Sequence, residues 1–384
     1  MENELKQVIK FVFFNADPPD EFTSEGELIK ELEGQAMLSV LGPKVQRLPF
    51  SKENQAYCFE YIMTVYAYMQ ELLYVQSELI DLFGRNGIPM AILKGSAAAM
   101  NYPYPLYRTP GDVDFIVGEA DFSKAYELML ANGFKNYSAE NLTEYHYALK
   151  KGKAIFELHK YPGGLPEGEK GDYLLGLIYK GLSDMAVTDI GGYRIPVLPV
   201  VPNGIVLLLH IRKHLTGGLG LRQITDWMLF VDKHLDDVAW ENEFKIVASK
   251  GGLEDLAKTT TRMCQMHLGL REEITWCKDA SEELCNDFWR YIVEKGNLGH
   301  KEAVDGLGRR FAEDGLFHPK KLLKKMQQDG ARDWRLCQKH RWLKPFAWLR
   351  QLFYYASYVM RHRKRIAEDV KIGKERAKMI ERLK

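Results

Sequence analysis

The stretch from Ala91 to Phe115 restricts this chain more than any other. It reads Ala-Ile-Leu-Lys-Gly-Ser, then a turn-rich segment, then Gly-Asp-Val-Asp-Phe. Ala91-Ile92-Leu93 is a short apolar run ending at Gly95, the pattern of a buried strand that hands over to a helix. Ser96 opens Ala97 to Met100, whose composition suits a first helical turn with free backbone N–H groups. Lys94, Gly95 and Ser96 therefore sit where a strand meets a helix N-terminus, a natural seat for phosphate. On the next strand Asp112 and Asp114 alternate with Val113 and Phe115. Residues i and i+2 share a face, so both carboxylates point one way while Val113 and Phe115 enter the core. Adjacent carboxylates repel unless a cation lies between them. A hard divalent ion, Mg²⁺ above all, accepts carboxylate oxygens together with substrate phosphates.

The chain before and after this block divides by pattern. Residues 1–50 read as short helices, about 4–15 and 22–40, parted by Asp17-Pro18-Pro19-Asp20. Ser51 to Phe83 carries Ile62, Tyr66, Met69, Leu73, Ile80 and Phe83 at helical spacing, stopped by Gly84 and Gly87. Asp121 is placed to cap a helix over Phe122 to Asn132. Tyr145 to Leu149 and Ala154 to His159 read as a hairpin turning at Lys151-Gly152, which sets Glu157 on the face opposite Phe156 and Leu158, alongside His159. A second hairpin turns at Gly191-Gly192. From Pro202 the pattern is helical, with Asn203 as a cap for 205–215 and further helices at 219–235, 237–249, 253–268, 281–295 and 301–313. The fold class predicted is α+β with an α/β-like core: a small mixed sheet with flanking helices, then a mostly helical C-terminal half. The segments expected are 1–50 (helical), 51–200 (the core), 201–313 (helical) and 314–384 (a basic, aromatic-rich tail).

A Gly-Ser turn followed by Asp-x-Asp on the next strand is similar to the signature of DNA polymerase β-type nucleotidyltransferases. The wider block resembles one poorly characterised bacterial branch of that superfamily. It comprises Leu93-Lys94-Gly95, Tyr102-Pro103, Pro105, Arg108, Gly111-Asp112-Val113-Asp114 and Glu157-Leu158-His159, and the resemblance covers roughly residues 60–235. Two departures stand out. Fifteen residues separate Ser96 from Asp112, a longer gap than in minimal members, and Lys94 stands where many relatives carry a small or apolar residue.

The resemblance implies Mg²⁺- or Mn²⁺-dependent transfer of a nucleoside monophosphate from a nucleoside triphosphate, ATP by default, to an acceptor hydroxyl. Asp112, Asp114 and Glu157 are the expected metal ligands and catalytic carboxylates. Lys94, Gly95, Ser96 and Arg108 are the expected nucleotide-binding residues, Arg108 through its two-pronged donor geometry. The acceptor stays open between a small molecule, a protein side chain and an RNA end. A catalytically silent nucleotide-binding or scaffold protein of the same fold is the rival reading.

Other polar residues admit two accounts each. His159 could orient a ligand or take a proton, or be a packed histidine. His210 and His214 have a metal-ligand spacing on one helix, but helix packing is preferred; Ile211 stands where a metalloprotease needs Glu. Arg222 and Asp226 resemble polar positions of the family's helical segment, and an intrahelical salt bridge is the simpler account.

Charge is distributed unevenly behind a net +1. Lys320 to Lys384 holds twenty Lys and Arg against six Asp and Glu, a surplus of +14 that leaves −13 on residues 1–319. Within this tail Phe346, Leu349, Phe353, Ala356 and Met360 form a helical stripe, with Trp334, Trp342 and Trp348 nearby. Packing on the body is the expectation for residues 334–384; an anionic membrane surface and RNA are the alternatives. Arg361 to Lys384 reads as a solvated basic helix. Five scattered cysteines, an apolar N-terminal run too short for a signal peptide and no membrane span predict a cytoplasmic protein with reduced thiols, peripheral at a membrane at most.

Overall fold

The computed structural model describes residues 1–137, 146–296, 341–361 and 377–383, with isolated positions 323, 326, 327, 330 and 334. The fold is α+β. Seven strands form one mixed sheet in the order β3-β4-β5-β2-β1-β7-β6. In chain order these are β1 (Met90–Leu93), β2 (Val113–Val117), β3 (Lys135–Asn136), β4 (His146–Lys151), β5 (Ala154–His159), β6 (Ala186–Ile190) and β7 (Tyr193–Val197). β1 and β2 are antiparallel, β2 and β5 parallel, and β1 and β7 parallel. The register sets Asp114 beside Glu157 and opposite Leu93.

Period-two alternation divides the sheet's faces. Met90, Ile92, Val113, Phe115, Val117, Phe156 and Leu158 are buried on one face, in a core shared with Met69, Leu72, Leu79 and Phe83 of α3 (Lys52–Arg85) and with Ala125 and Met129 of α5 (Phe122–Ala131). Ala91, Leu93 and Ile116 join a second core on the other face. That core takes in α1 (Glu2–Phe14), α2 (Glu25–Gly34), the 3₁₀ segment Ser39–Arg47, α7 (Val200–Gly217), α8 (Leu221–His234), α11 (Glu254–Leu268) and α12 (Glu282–Lys295). The short α4 (Gly95–Ala99) follows β1 directly, and α6 (Glu169–Gly181) precedes the second hairpin. Gly191 and Gly192, at φ +62° and +87°, supply the two left-handed residues that a tight hairpin requires.

Several local expectations change on inspection. The helix expected over 22–40 ends at Gly34, because Ala36 turns left-handed at φ +56° and the chain restarts as a 3₁₀ segment broken at Gly42-Pro43. Asp121 makes no side-chain cap; it lies in a 3₁₀ turn, Glu119–Asp121, with helical backbone that runs into α5. Asn203 is not a cap either. α7 begins at Val200, since Pro202 is tolerated in a first turn whose N–H groups have no intrahelical partner. The helix expected at 237–249 is α9 (Asp237–Ala239), a π turn (Trp240–Phe244) and α10 (Lys245–Gly251). A helix at 301–313 lies outside the described residues.

The tail differs most. A 3₁₀ segment, Arg341–Phe346, leads into α13 (Ala347–Arg361). Its buried side is Ala347 and Gln351, whereas Trp342, Phe346, Leu352, Phe353 and Tyr354 are exposed. Packing of that aromatic stripe on the body is therefore overturned for these residues. Met379 and Leu383 are buried in the helical core and Arg382 pairs with Asp287, so the last described turn is no solvated helix. Cys58, Cys264, Cys277 and Cys285 are free and buried. Among the described residues no helix is long and apolar enough to cross a membrane.

Candidate active site

Three carboxylates meet on the face of the sheet opposite α3. Asp112 precedes β2, Asp114 is its second residue, and Glu157 lies beside Asp114 on β5. Each offers an oxygen, and these atoms lie within 4.8 Å of one another. Val113, Phe115, Phe156 and Leu158, all buried beneath, fix the carboxylates' orientation through the pleat.

The cluster carries its own counter-charges. Lys94 Nζ lies 2.6 Å from Asp114 Oδ1, and His159 Nε2 is 2.8 Å from the same oxygen. His159 Nε2 also lies 3.2 Å from Glu157 Oε2, and His146 Nε2 is 3.4 Å from Glu157 Oε1. The two imidazoles stack at 5.2 Å. His159 Nδ1 faces the Tyr161 carbonyl at 3.4 Å. Burial pushes Asp114 up, but the ammonium of Lys94 and the hydrogen bond from His159 outweigh it and hold the carboxyl below its usual value. Glu157 is likewise held well below: burial opposes, and hydrogen bonds from His146 and His159 prevail. For His159 burial favours the neutral ring, yet Asp114 and Glu157 raise its pKa. Asp112, exposed at the rim, behaves oppositely. The Asp114 charge, then partial desolvation, then Glu157 push it up to about 6.

Lys94 reaches Asp114 from an uncommon backbone. Its φ of +51° with ψ −139° is a conformation in which a non-glycine residue is strained. Ser96 turns its hydroxyl to Gln76 of α3 at 2.8 Å, which leaves the backbone N–H groups at the start of α4 as its contribution to the site. Gly95, Ser96, Gly111, Asp112 and Asp114 line one recess.

Arg108 and Asp226 are brought together, though 118 residues apart. Arg108 Nε donates to Asp226 Oδ1 and Nη2 to Oδ2, each at 2.7 Å. Tyr102 donates to the same carboxylate at 2.8 Å. Arg108 is thus built into a buried ion pair while it also lines that recess, and the Arg222–Asp226 salt bridge does not form. Arg222 instead lies against the loop carrying Asp112: its Nη1 is 3.5 Å from the Pro110 carbonyl, and its Nε is buried without an acceptor among the described residues. Burial, then the like charge of Arg108, lowers its pKa.

α7 brings Lys213 within the electrostatic reach of the carboxylates. Burial and the charge of Lys94 lower the pKa of Lys213, while Asp114, Glu157 and Asp112 oppose that shift. His210 is held well below its usual value, by burial and then by Lys94, His214, Lys213 and Arg222. His210 and His214 contact each other edge to face at 4.5 Å. Gly164, at φ +88°, presses on α7 next to these residues: a Cβ there would lie 2.2 Å from the Leu209 carbonyl oxygen.

Residues 50–269, more than half of the chain, match the sequence model of a family described as uncharacterised nucleotidyltransferase. The chain belongs to that family. No curated protein matches it. In this nucleotidyltransferase the matched span holds the whole sheet and every side chain of the cluster.

His146 and Lys213 were invisible to motif reading. Counting outward from the turn pairs His146 with His159, because Lys151 pairs with Ala154. The turn is Gly152-Lys153, not Lys151-Gly152, and that one-residue difference hides the pair.

Proposed function

We propose that the chain transfers a nucleoside monophosphate from a nucleoside triphosphate, ATP by default, to an acceptor hydroxyl. The observation that carries this reading is the convergence of Asp112, Asp114 and Glu157 from two hydrogen-bonded strands within the matched span. Three carboxylate oxygens this close suit a hard divalent ion, Mg²⁺ or Mn²⁺, and these residues would hold it. When bound, the ion supplies positive charge against the α-phosphate and the attacking oxygen.

The chain's own groups do the rest. Backbone N–H groups of Gly95 and Ser96 hold phosphate oxygens. Arg222 and Lys213, from α8 and α7, neutralise the two outer phosphates; Arg222 enters this role because its Nε has no acceptor and its neighbouring acid is taken by Arg108. The acceptor oxygen attacks the α-phosphorus as the bond to the bridging oxygen breaks, and pyrophosphate leaves. One of the carboxylates takes the acceptor's proton. His159 and His146 act by positioning Glu157 and Asp114.

The test is incubation of the protein with α-labelled ATP, Mg²⁺ and cell extract, alongside a variant combining Asp112→Asn and Asp114→Asn. Label is expected to move to an acceptor with the native chain alone. Equal transfer by the double variant would remove these carboxylates from the reaction.

A further inference from the structure

Outside the active site, the described tail is built contrary to the logic of a folded core. Helix α13 seats its small and polar side inward. Ala347 is fully buried, and a Cβ on Gly330 would lie 2.1 Å from the Ala347 carbonyl oxygen. The Trp348 N–H donates to Gln327, and Gln351 is buried. Outward point Trp342 (70% exposed), Phe346 (51%) and Phe353 (73%). Trp342 and Phe346 stand on the 3₁₀ segment and Phe353 on α13, and with Leu352 they follow one another along the chain as a ridge of exposed apolar side chains. A segment that served only packing would bury such rings.

Charge decides what such a ridge meets. From Trp334 to Ala367 the sequence holds nine Lys and Arg and not one Asp or Glu, in a chain whose first 319 residues carry −13. A segment whose sequence interleaves aromatic and basic residues and carries no acid matches the boundary between lipid headgroups and acyl chains. The exposed set includes the aliphatic Leu352, which offers no ring to stack on a base, whereas single-stranded nucleic acid is held in grooves with flat stacking platforms. α13 has 15 residues, a rise of about 22 Å, and suits lying in the membrane plane.

We infer that Arg341–Arg361 is an interfacial anchor that lays the Trp342–Phe346–Phe353 ridge into the surface of a bilayer containing anionic lipid. The site on the sheet would then work beside a membrane, whatever the acceptor. This inference stands on the tail alone and does not depend on the catalytic reading.

The full-length protein is to be sedimented with vesicles of phosphatidylcholine and of phosphatidylcholine with phosphatidylserine, and its retention of polyuridylate measured in parallel. Partition onto the phosphatidylserine vesicles is expected, falling as salt rises. A variant combining Trp342→Ser, Phe346→Ser and Phe353→Ser should lose about tenfold or more in partition. Its thermal midpoint and any label transfer should not change, since these side chains are exposed. No partition at low salt, or equal partition by the triple variant, would overturn the inference. Retention of polyuridylate without vesicle binding would overturn it too and make the ridge a nucleic-acid surface.

Discussion

Asp226 grips Arg108 through both carboxylate oxygens at 2.7 Å, and in doing so leaves Arg222, one helical turn earlier, without the acid its position would suggest. The pair ties the loop before Asp112 to helix α8. The same exchange of partners leaves a half-buried guanidinium beside the loop that carries Asp112.

Removing one member of the pair leaves the other charge buried and alone. Asp226→Asn is expected to cost about 3–5 kcal/mol, read from urea unfolding. Arg222→Gln should behave differently, because it deletes a half-buried charge that has no direct acid partner: stability unchanged or raised, and affinity for nucleoside triphosphate reduced. Similar destabilisation by both variants would contradict the assignment of partners.

Lys94 offers a comparison that isolates backbone strain. Lys94→Ala and Lys94→Gly both remove the ammonium from Asp114, but only glycine accepts φ +51° without penalty. The glycine variant should be the more stable by about 1–2 kcal/mol. Equal unfolding midpoints would show that the turn is unstrained.

Acidity around Asp112 gives a signed expectation. Its carboxyl moves from an ordinary 3.8 up to about 6 in the folded chain. Between those values the folded, metal-free protein holds a proton that the unfolded chain has released. This contribution to stability is present at low pH and is lost as pH rises through about 6. Asp112→Asn should flatten that slope in thermal melts. Ion binding runs the other way, since it needs the carboxylate: Mn²⁺ affinity should rise with pH across the same window. Asp114 and Glu157, both held low, stay ionised throughout. A pH-independent affinity from about pH 5 to 8 would remove Asp112 from the ligand set.

Gly164 tests how α7 is held. Alanine there meets the Leu209 carbonyl oxygen and must also adopt φ +88°. Gly164→Ala is expected to lose about 2 kcal/mol or more. Because α7 carries Lys213, triphosphate affinity should fall with it. An unchanged melting midpoint would mean that the loop and helix part freely.

What could be read from the sequence followed the range of the forces involved. Asp112, Asp114 and Glu157 were legible because strand alternation is local and Val113, Phe115, Phe156 and Leu158 declare the buried face. The Arg108–Asp226 pair was not legible because the two residues lie 118 apart, and an arginine's spacing says nothing about who will hold it. His146 needed the hairpin's turn placed to the residue. The tail's apolar stripe was plain, but amphipathicity does not say which side faces inward; Gly330 against Ala347 answers that, through a contact between segments. Asn203 and Asp121 were good caps by composition at positions where the backbone was already helical.

Asp114 in its resting state is already shared between an ammonium and an imidazole. On the metal-dependent reading, a divalent ion drawn to that oxygen would have to compete with both, and its hold would be a difference between two sets of partners. Such a seat would favour an ion that brings phosphate oxygens with it. Loading would then be ordered, with the nucleotide and its ion arriving together, and the site would rest as a self-neutralised salt whenever nucleotide is scarce.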